Sequence, residues 1–299
     1  MSAPVAPPDA AVVAANVAAA LAEDIGPGDA TALLLDDAAD EAYLLCKEDC
    51  VVAGRPWFDA CHRALDPAVR IDWRCAEGDR IAKGTVMATL QGHRRALVSA
   101  ERASLNFLQT LSGTATTTAR HVDAVRGTGA AILDTRKTLP GLRVAQKYAV
   151  RVGGGSNHRM ALYDAVMLKE NHIRAFGSVA AAIARARALH PALPLIVEVE
   201  TLDELRQALD TGCTRVLVDD FDPAMRREAV RIAKGAPYHG RIPLEVSGGV
   251  DMASLRAIAE DGVDCISIGG LTKHVHAIDF SLKLGPPPPS LTRCPPCSS

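Results

Sequence analysis

Aromatic residues are scarce in this chain: only 4% of its 299 residues are Phe, Trp or Tyr, although 48% are hydrophobic. The apolar content therefore comes from Ala, Val, Leu and Ile, a mix suited to helices packed on parallel strands. The same scarcity removes the stacking platforms on which single-stranded nucleic acid is held. Neither sign of charge dominates, the formal net charge being −2, so a general polyanion-binding surface is not indicated. The N-terminal stretch MSAPVAPPDAAVVAANVAAALAEDIG has no basic start, and Asn16 interrupts its apolar part. It reads as an amphipathic Ala-rich helix rather than a signal peptide or membrane span. Cys46, Cys50, Cys61, Cys75, Cys213 and Cys265 form no C-x-x-C unit, and reduced structural thiols in a cytoplasmic protein are expected. Cys294 and Cys297 have that spacing but lie in the tail GPPPPSLTRCPPCSS. Two thiols are too few for a zinc site, and residues 285–299 are expected to be a disordered Pro-rich extension. No Ser-His-Asp or Cys-His arrangement can be picked out, so covalent catalysis is not indicated.

What is present begins with strands and turns. EAYLLCKEDCVVAG, VRIDWR and GTVMATLQG alternate as strands, and PWFDACHRAL reads as a helix from Pro56. Short connections between them predict a small, mostly antiparallel α+β domain over residues 1–112, including the N-terminal helix. The run EGDRIAKGTVMATLQG also admits a carrier-like half-barrel with Lys83 as its modified residue. From Ser99 the pattern becomes helical, with Leu105, Leu108 and Leu111 on one face. Arg102, near the start of this helix, has no opposite charge at helical spacing and reads by itself as a solvated side chain.

Beyond Gly129 a repeating unit emerges: AAILDTRK, DAVMLKEN, PLIVEVET, TRVLVDDF, PLEVSGGV and DCISIGGL. Each is a β-branched run ending in polar or small residues, with helices expected at 178–190, 202–211, 223–235 and 251–261. Parallel strands with crossover helices follow, in number closer to a (β/α) barrel than to an open sheet. Side chains at the C-terminal strand ends of such a barrel line one mouth. These are Arg136, Lys137, Lys169, Glu198, Glu200, Asp219, Asp220, Ser247 and Gly269. The SGGV and SIGG ends offer small residues and backbone N–H groups before helices, which suits a phosphate. The stretch from Asp134 to Arg174 carries eight Lys and Arg residues against three acids, interleaved with apolar residues and Gly153–Gly155. A small polyanion fits this pattern better than a nucleic acid. Carboxylates on adjacent strands can hold ribose hydroxyls or Mg²⁺, and Arg forks grip planar carboxylates.

The segments ERASLNFLQTLSGTAT, DTRKTLPGLR, QKYAVRVGGGSNHRMALYDAVMLKENHI, VEVE, SGGV and GGLTKHVHAIDFSL resemble the quinolinate phosphoribosyltransferases, over about Glu23 to Leu284. The resemblance implies an α/β protein: an N-terminal α/β sandwich followed by an incomplete, seven-stranded α/β barrel over residues 113–284. It implies transfer of a phosphoribosyl group from phosphoribosyl pyrophosphate to quinolinate, with Mg²⁺. The products would be nicotinate mononucleotide, pyrophosphate and CO2, in NAD biosynthesis. It places Arg136, Arg159 and Lys169 around the quinolinate carboxylates with His158 and Thr135 nearby, and Lys137 towards phosphoribosyl pyrophosphate. Glu198 and Asp219 would hold the ribose hydroxyls and the metal. Ser247, Gly248 and Gly249, with Ile268, Gly269 and Gly270, would take the 5′-phosphate. The catalytic set implied is Lys137, Lys169, Glu198 and Asp219. Arg102 would reach quinolinate from a neighbouring subunit, in a homodimer or assembly of dimers with shared sites, with no nucleic-acid or membrane partner. One departure is Gln146, where some members have Glu before the Lys-Tyr pair.

Overall fold

The computed structural model describes residues 5–291. In chain order the elements begin with α1 (Ala10–Ile25), β1 (Ala39–Cys46), β2 (Cys50–Val51), α2 (Arg55–Leu65), β3 (Arg70–Trp73), β4 (Arg80–Ile81) and β5 (Val86–His93). A long α3 (Arg94–Ala124) is followed by β6 (Ala131–Leu133), α4 (Arg143–Val152), β7 (Val166–Leu168), α5 (Glu170–Phe176), α6 (Val179–Leu189) and β8 (Leu195–Val199). The remainder is α7 (Leu202–Asp210), β9 (Arg215–Asp219), α8 (Pro223–Lys234), β10 (Leu244–Ser247), α9 (Met252–Glu260), β11 (Cys265–Ser267), α10 (Gly270–Lys273) and β12 (Phe280–Leu284). Two compact units result, and they are not separated by a single cut. The first comprises the residues up to Ala119, Leu139–Gly154 and those from Thr272 onward; the second comprises Arg120–Thr138 and Gly155–Leu271.

In the first unit a four-stranded antiparallel sheet runs β12-β1-β5-β3. Its register sets Leu44 between Leu282 and Ala88, so the apolar residues of neighbouring strands share one face. Leu97, Leu105 and Leu108 of α3 pack into that cluster. A second cluster joins Leu111 to Val13, Val17, Trp57, Phe107 and Tyr148. The three-spaced leucines of α3 are therefore all buried, each stabilising the fold by about 1.5–3 kcal/mol. Glu77 caps α2, its carboxylate accepting the N–H groups of Gly54 (3.0 Å) and Arg55 (2.6 Å). Burial pushes the Glu77 carboxyl up to about 7, against the pull of these bonds. Gln146 is fully buried; its Oε1 accepts the Leu139 N–H (2.7 Å) and its Nε2 donates to the Thr272 carbonyl (2.8 Å). A glutamate would lack that second donor, which accounts physically for an amide here.

The second unit holds a six-stranded, all-parallel sheet in the order β6-β11-β10-β9-β8-β7. Its helices start where a short polar side chain can accept an orphan N–H: Ser178 before α6, Thr201 before α7, Asp222 before α8 and Asp251 before α9. These are the four helices expected from the sequence. A seventh strand was also expected, and in its place stands a single bridge of Ser156 beside Leu133. The reason is local: the buried Asp134 carboxylate takes the Asn157 side-chain amide (2.5 Å) and the His158 N–H (2.9 Å). That backbone donor is thereby withheld from a longer ladder. Of the tail, residues to Leu291 are described and include a 3-10 turn at Pro289–Leu291; Cys294 and Cys297 lie outside the described residues.

Candidate active site

At the C-terminal ends of the parallel strands lies a cavity of about 350 Å³. Thr135, Arg136 and Lys137 line it from beyond β6, and His158 and Arg159 from beyond the Ser156 bridge. Met167 and Lys169 come from β7 and its end, Glu198 from β8, Leu217 from β9, Glu245 and Ser247 from β10, and Ser267 from β11. Eight of the residues expected from the sequence thus converge on one space.

Like charges stand side by side in it. Arg159 is half-buried, and its guanidinium donates to the Ala165 carbonyl (3.3 Å) and to Met167 Sδ (3.6 Å). Burial first, and the nearby Arg136 guanidinium second, pull its pKa down. An anion seated between the two would relieve both effects. On the carboxylate side, Lys169 Nζ lies 2.5 Å from Glu198 Oε2. Asp219 is pushed up by burial, then by Glu198 and Asp220, against the pull of Lys169 and Lys137. Asp220 itself adopts a left-handed conformation, φ 52°, which Asp tolerates better than most residues.

Gly248 and Gly269, at the ends of β10 and β11, are closely approached by neighbouring side chains. Gly248 has φ +84°, and a Cβ there would sit 3.1 Å from an Asp219 carboxylate oxygen. A Cβ on Gly269 would press 2.8 Å from Lys137 Cδ, so a side chain there would displace the lysine. Gly249 and Gly270 neighbour these two in sequence. Ile268 is different: its N–H donates to the Leu133 carbonyl (2.9 Å) and is committed to the sheet rather than to a phosphate. Arg102 lies on an exposed face of α3 and does not line the cavity.

Models of the N-terminal and C-terminal domains of quinolinate phosphoribosyl transferase match residues 29–112 and 114–283. The chain belongs to the quinolinate phosphoribosyl transferase family. Among its relatives is a mitochondrial quinolinate phosphoribosyltransferase (decarboxylating) of Nicotiana tabacum, 40% identical over 287 residues, covering 89% of this chain and 80% of the relative. A chloroplastic nicotinate-nucleotide pyrophosphorylase (carboxylating) of Arabidopsis thaliana is 39% identical with the same coverage. The solved structure of the nicotinate-nucleotide pyrophosphorylase of Francisella tularensis superposes with a TM-score of 0.90 at 40% identity, over 95% of this chain and all of that one.

Four residues lining the cavity were not foreseen: Met167, Leu217, Glu245 and Ser267. Each stands two positions before a residue that was read as a strand-end group, namely Lys169, Asp219, Ser247 and Gly269. Strand side chains alternate with period two, so these residues form the next layer down on the same face. The alternation was the available signal.

Proposed function

We infer that the protein transfers a phosphoribosyl group from phosphoribosyl pyrophosphate to the ring nitrogen of quinolinate. One carboxylate is lost as CO2, and nicotinate mononucleotide and pyrophosphate are released. The observation that carries this reading is the pairing of Arg136 with Arg159 in one cavity beside Lys169, which suits a small dicarboxylate. Arg136 and Arg159 would fork the carboxylates, Lys137 would face the pyrophosphate, and Glu198 and Asp219 would hold the ribose hydroxyls. Gly248, Gly249 and Gly269 would leave room for the 5′-phosphate. The cavity is lined by residues that follow one edge strand, β6, and by Met167 of the other, β7. Five strand spacings of about 4.8 Å separate those edges in a flat sheet, so their meeting around one cavity supports a sheet curled into an incomplete barrel.

A Mg²⁺ ion fits the donor set. Among the described residues no cluster of three or more metal-ligating side chains occurs, and Mg²⁺ commonly uses one or two carboxylates together with substrate phosphates. Glu198 and Asp219, the latter's charge disfavoured by burial and by Glu198, are the pair that would hold it. When bound, the ion would neutralise charge on the pyrophosphate group. The chain's own residues orient the ring nitrogen behind the anomeric carbon, and such positioning supplies on the order of 7–11 kcal/mol. The nitrogen lone pair forms the new bond as the C–O bond to pyrophosphate breaks. The resulting pyridinium accepts the electron pair of the C–CO2 bond, and that ring carbon then takes a proton.

No helix among the described residues is long and apolar enough to cross a membrane. The six described cysteines are all free thiols, which supports the cytoplasmic reading. Incubation with quinolinate, phosphoribosyl pyrophosphate and Mg²⁺ tests the activity: equal release of nicotinate mononucleotide and CO2 is expected, and no release would reject it. Arg102, exposed on α3, is proposed to complete the site of a second copy in a homodimer. Arg102→Ala and Lys169→Ala subunits, each nearly inactive, should recover about a quarter of the wild-type rate when mixed at random, because mixed dimers keep one intact site. No recovery despite subunit exchange would reject the shared site.

A further inference from the structure

Among the described residues the imidazole of His158 is the one aromatic side chain lining the cavity, and each of its nitrogens faces a polar group of the protein. Its Nδ1 accepts the backbone N–H of Arg159 at 2.7 Å. An amide does not give up its proton at ordinary pH, so Nδ1 must present a lone pair and the ring proton has one other place to sit. That place is Nε2, which lies 3.4 Å from Glu245 Oε1. Oε1 is buried without a hydrogen bond of its own and faces Nε2 at this distance, while the other oxygen, Oε2, takes the Arg215 guanidinium at 2.9 Å. The backbone N–H of His158 is tied to Asp134, which leaves the ring little freedom to turn. The charged groups around it are Asp134, Arg159 and Glu245, the last backed by Arg215, with Arg136 and Lys169 lining the same cavity.

We infer that His158 serves the site as a neutral imidazole, fixed as the Nε2–H tautomer between the Arg159 amide and the Glu245 carboxylate, and that Glu245 is a positioning residue for it. Glu245 can do this because it remains an anion at the cavity floor. Its Oε2 is held by the Arg215 guanidinium at 2.9 Å, and in spite of burial its pKa lies below the usual carboxylate range. His158 then presents ring carbons to the substrate. It adds no positive charge against the quinolinate carboxylates, which falls to Arg136, Arg159 and Lys169. Nor does it supply the proton taken by the ring carbon after CO2 departs; that proton comes from water or another donor. These roles rest on the quinolinate reading, but the tautomer itself does not.

The test is long-range ¹H–¹⁵N spectroscopy of the full chain labelled with ¹⁵N-histidine, the His158 signals being assigned by their loss in His158→Gln. An Nε2–H tautomer is expected at neutral pH. An Nδ1–H tautomer, or an imidazolium near neutral pH, would overturn the inference. Glu245→Gln keeps an acceptor oxygen and should keep the tautomer. Glu245→Leu should lose it and raise the KM for quinolinate about ten-fold, with less than about two-fold change for phosphoribosyl pyrophosphate. If Glu245→Leu does not fold, a change of tautomer in Glu245→Gln counts against the positioning role, as does an unchanged tautomer in a folded Glu245→Leu. Failure of quinolinate turnover with the tautomer intact would reject the proposed reaction and leave the wiring of His158 standing.

Discussion

The floor and the wall of the cavity treat charge in opposite ways. On the floor, Glu245 is fully buried, yet Arg215 and His158 meet it within the protein. On the wall, Arg136 disfavours the charge of Arg159, and Glu198 disfavours that of Asp219 just beyond the lining. The floor is completed by folding; the wall is completed by a ligand. Adjacent like charges cost stability in the empty protein, and a dicarboxylate and a ribose phosphate are what would repay that cost.

Changing the wall should therefore affect catalysis most. Arg136→Lys keeps the charge but loses the fork, and kcat/KM for quinolinate should drop roughly a hundred-fold, or about 3 kcal/mol, in steady-state assays. Wild-type kinetics would remove Arg136 from contact with the substrate. Changing the floor should affect stability. Glu245→Leu leaves Arg215, whose side chain is 27% exposed, without its carboxylate, and urea unfolding should show a loss of about 3 kcal/mol. An unchanged midpoint would mean that the floor pair contributes nothing.

Glu77 in the first unit sharpens the contrast, being a largely buried carboxylate whose bonds come mainly from backbone N–H groups. Its folded pKa of about 7 exceeds the usual 4.5. Its contribution to stability is therefore fully present below 4.5 and is lost as pH rises through 7. Glu245 has the opposite sign: its depressed pKa gives stability that is present at neutral pH and lost on acidification. Glu77→Gln should flatten the fall in stability between pH 4.5 and 7, by on the order of 2 kcal/mol. An unaltered pH profile would show that burial does not control this group. The smallest effect belongs to Asp219→Asn. Solvent screens this side chain, so relief from Glu198 should stabilise the protein by only about 0.5 kcal/mol while activity falls. A loss of stability would show that Asp219 is held by attraction rather than repulsion.

Much of this was legible in the sequence because the signals were local. The alternation of β-branched runs with helical segments announced α6 to α9, and charged residues ending those runs announced the mouth. Arg136, Lys169 and Glu198 were placed together by that pattern. The second layer, Glu245 above all, was missed because a carboxylate two residues back from a strand end looks like an ordinary polar interruption until alternation is counted from Ser247. The tautomer of His158 depends on Arg159 and Glu245 at once, and no spacing rule joins them. The strand Phe280–Leu284 was grouped with the barrel segment, yet it pairs with β1, because register between distant segments leaves no short-range trace.

That pairing of β1 with β12 bears on how the polypeptide is made. The antiparallel sheet of the first unit draws one strand from near the start of the chain and another from near its end. A ribosome-bound chain therefore carries β1 with one edge open until residues 280–284 have been synthesised. Exposed edges are templates for pairing with other chains. Chaperone demand during translation should persist until β12 emerges, and a frameshift just before Phe280 should yield aggregates rather than a shortened soluble protein.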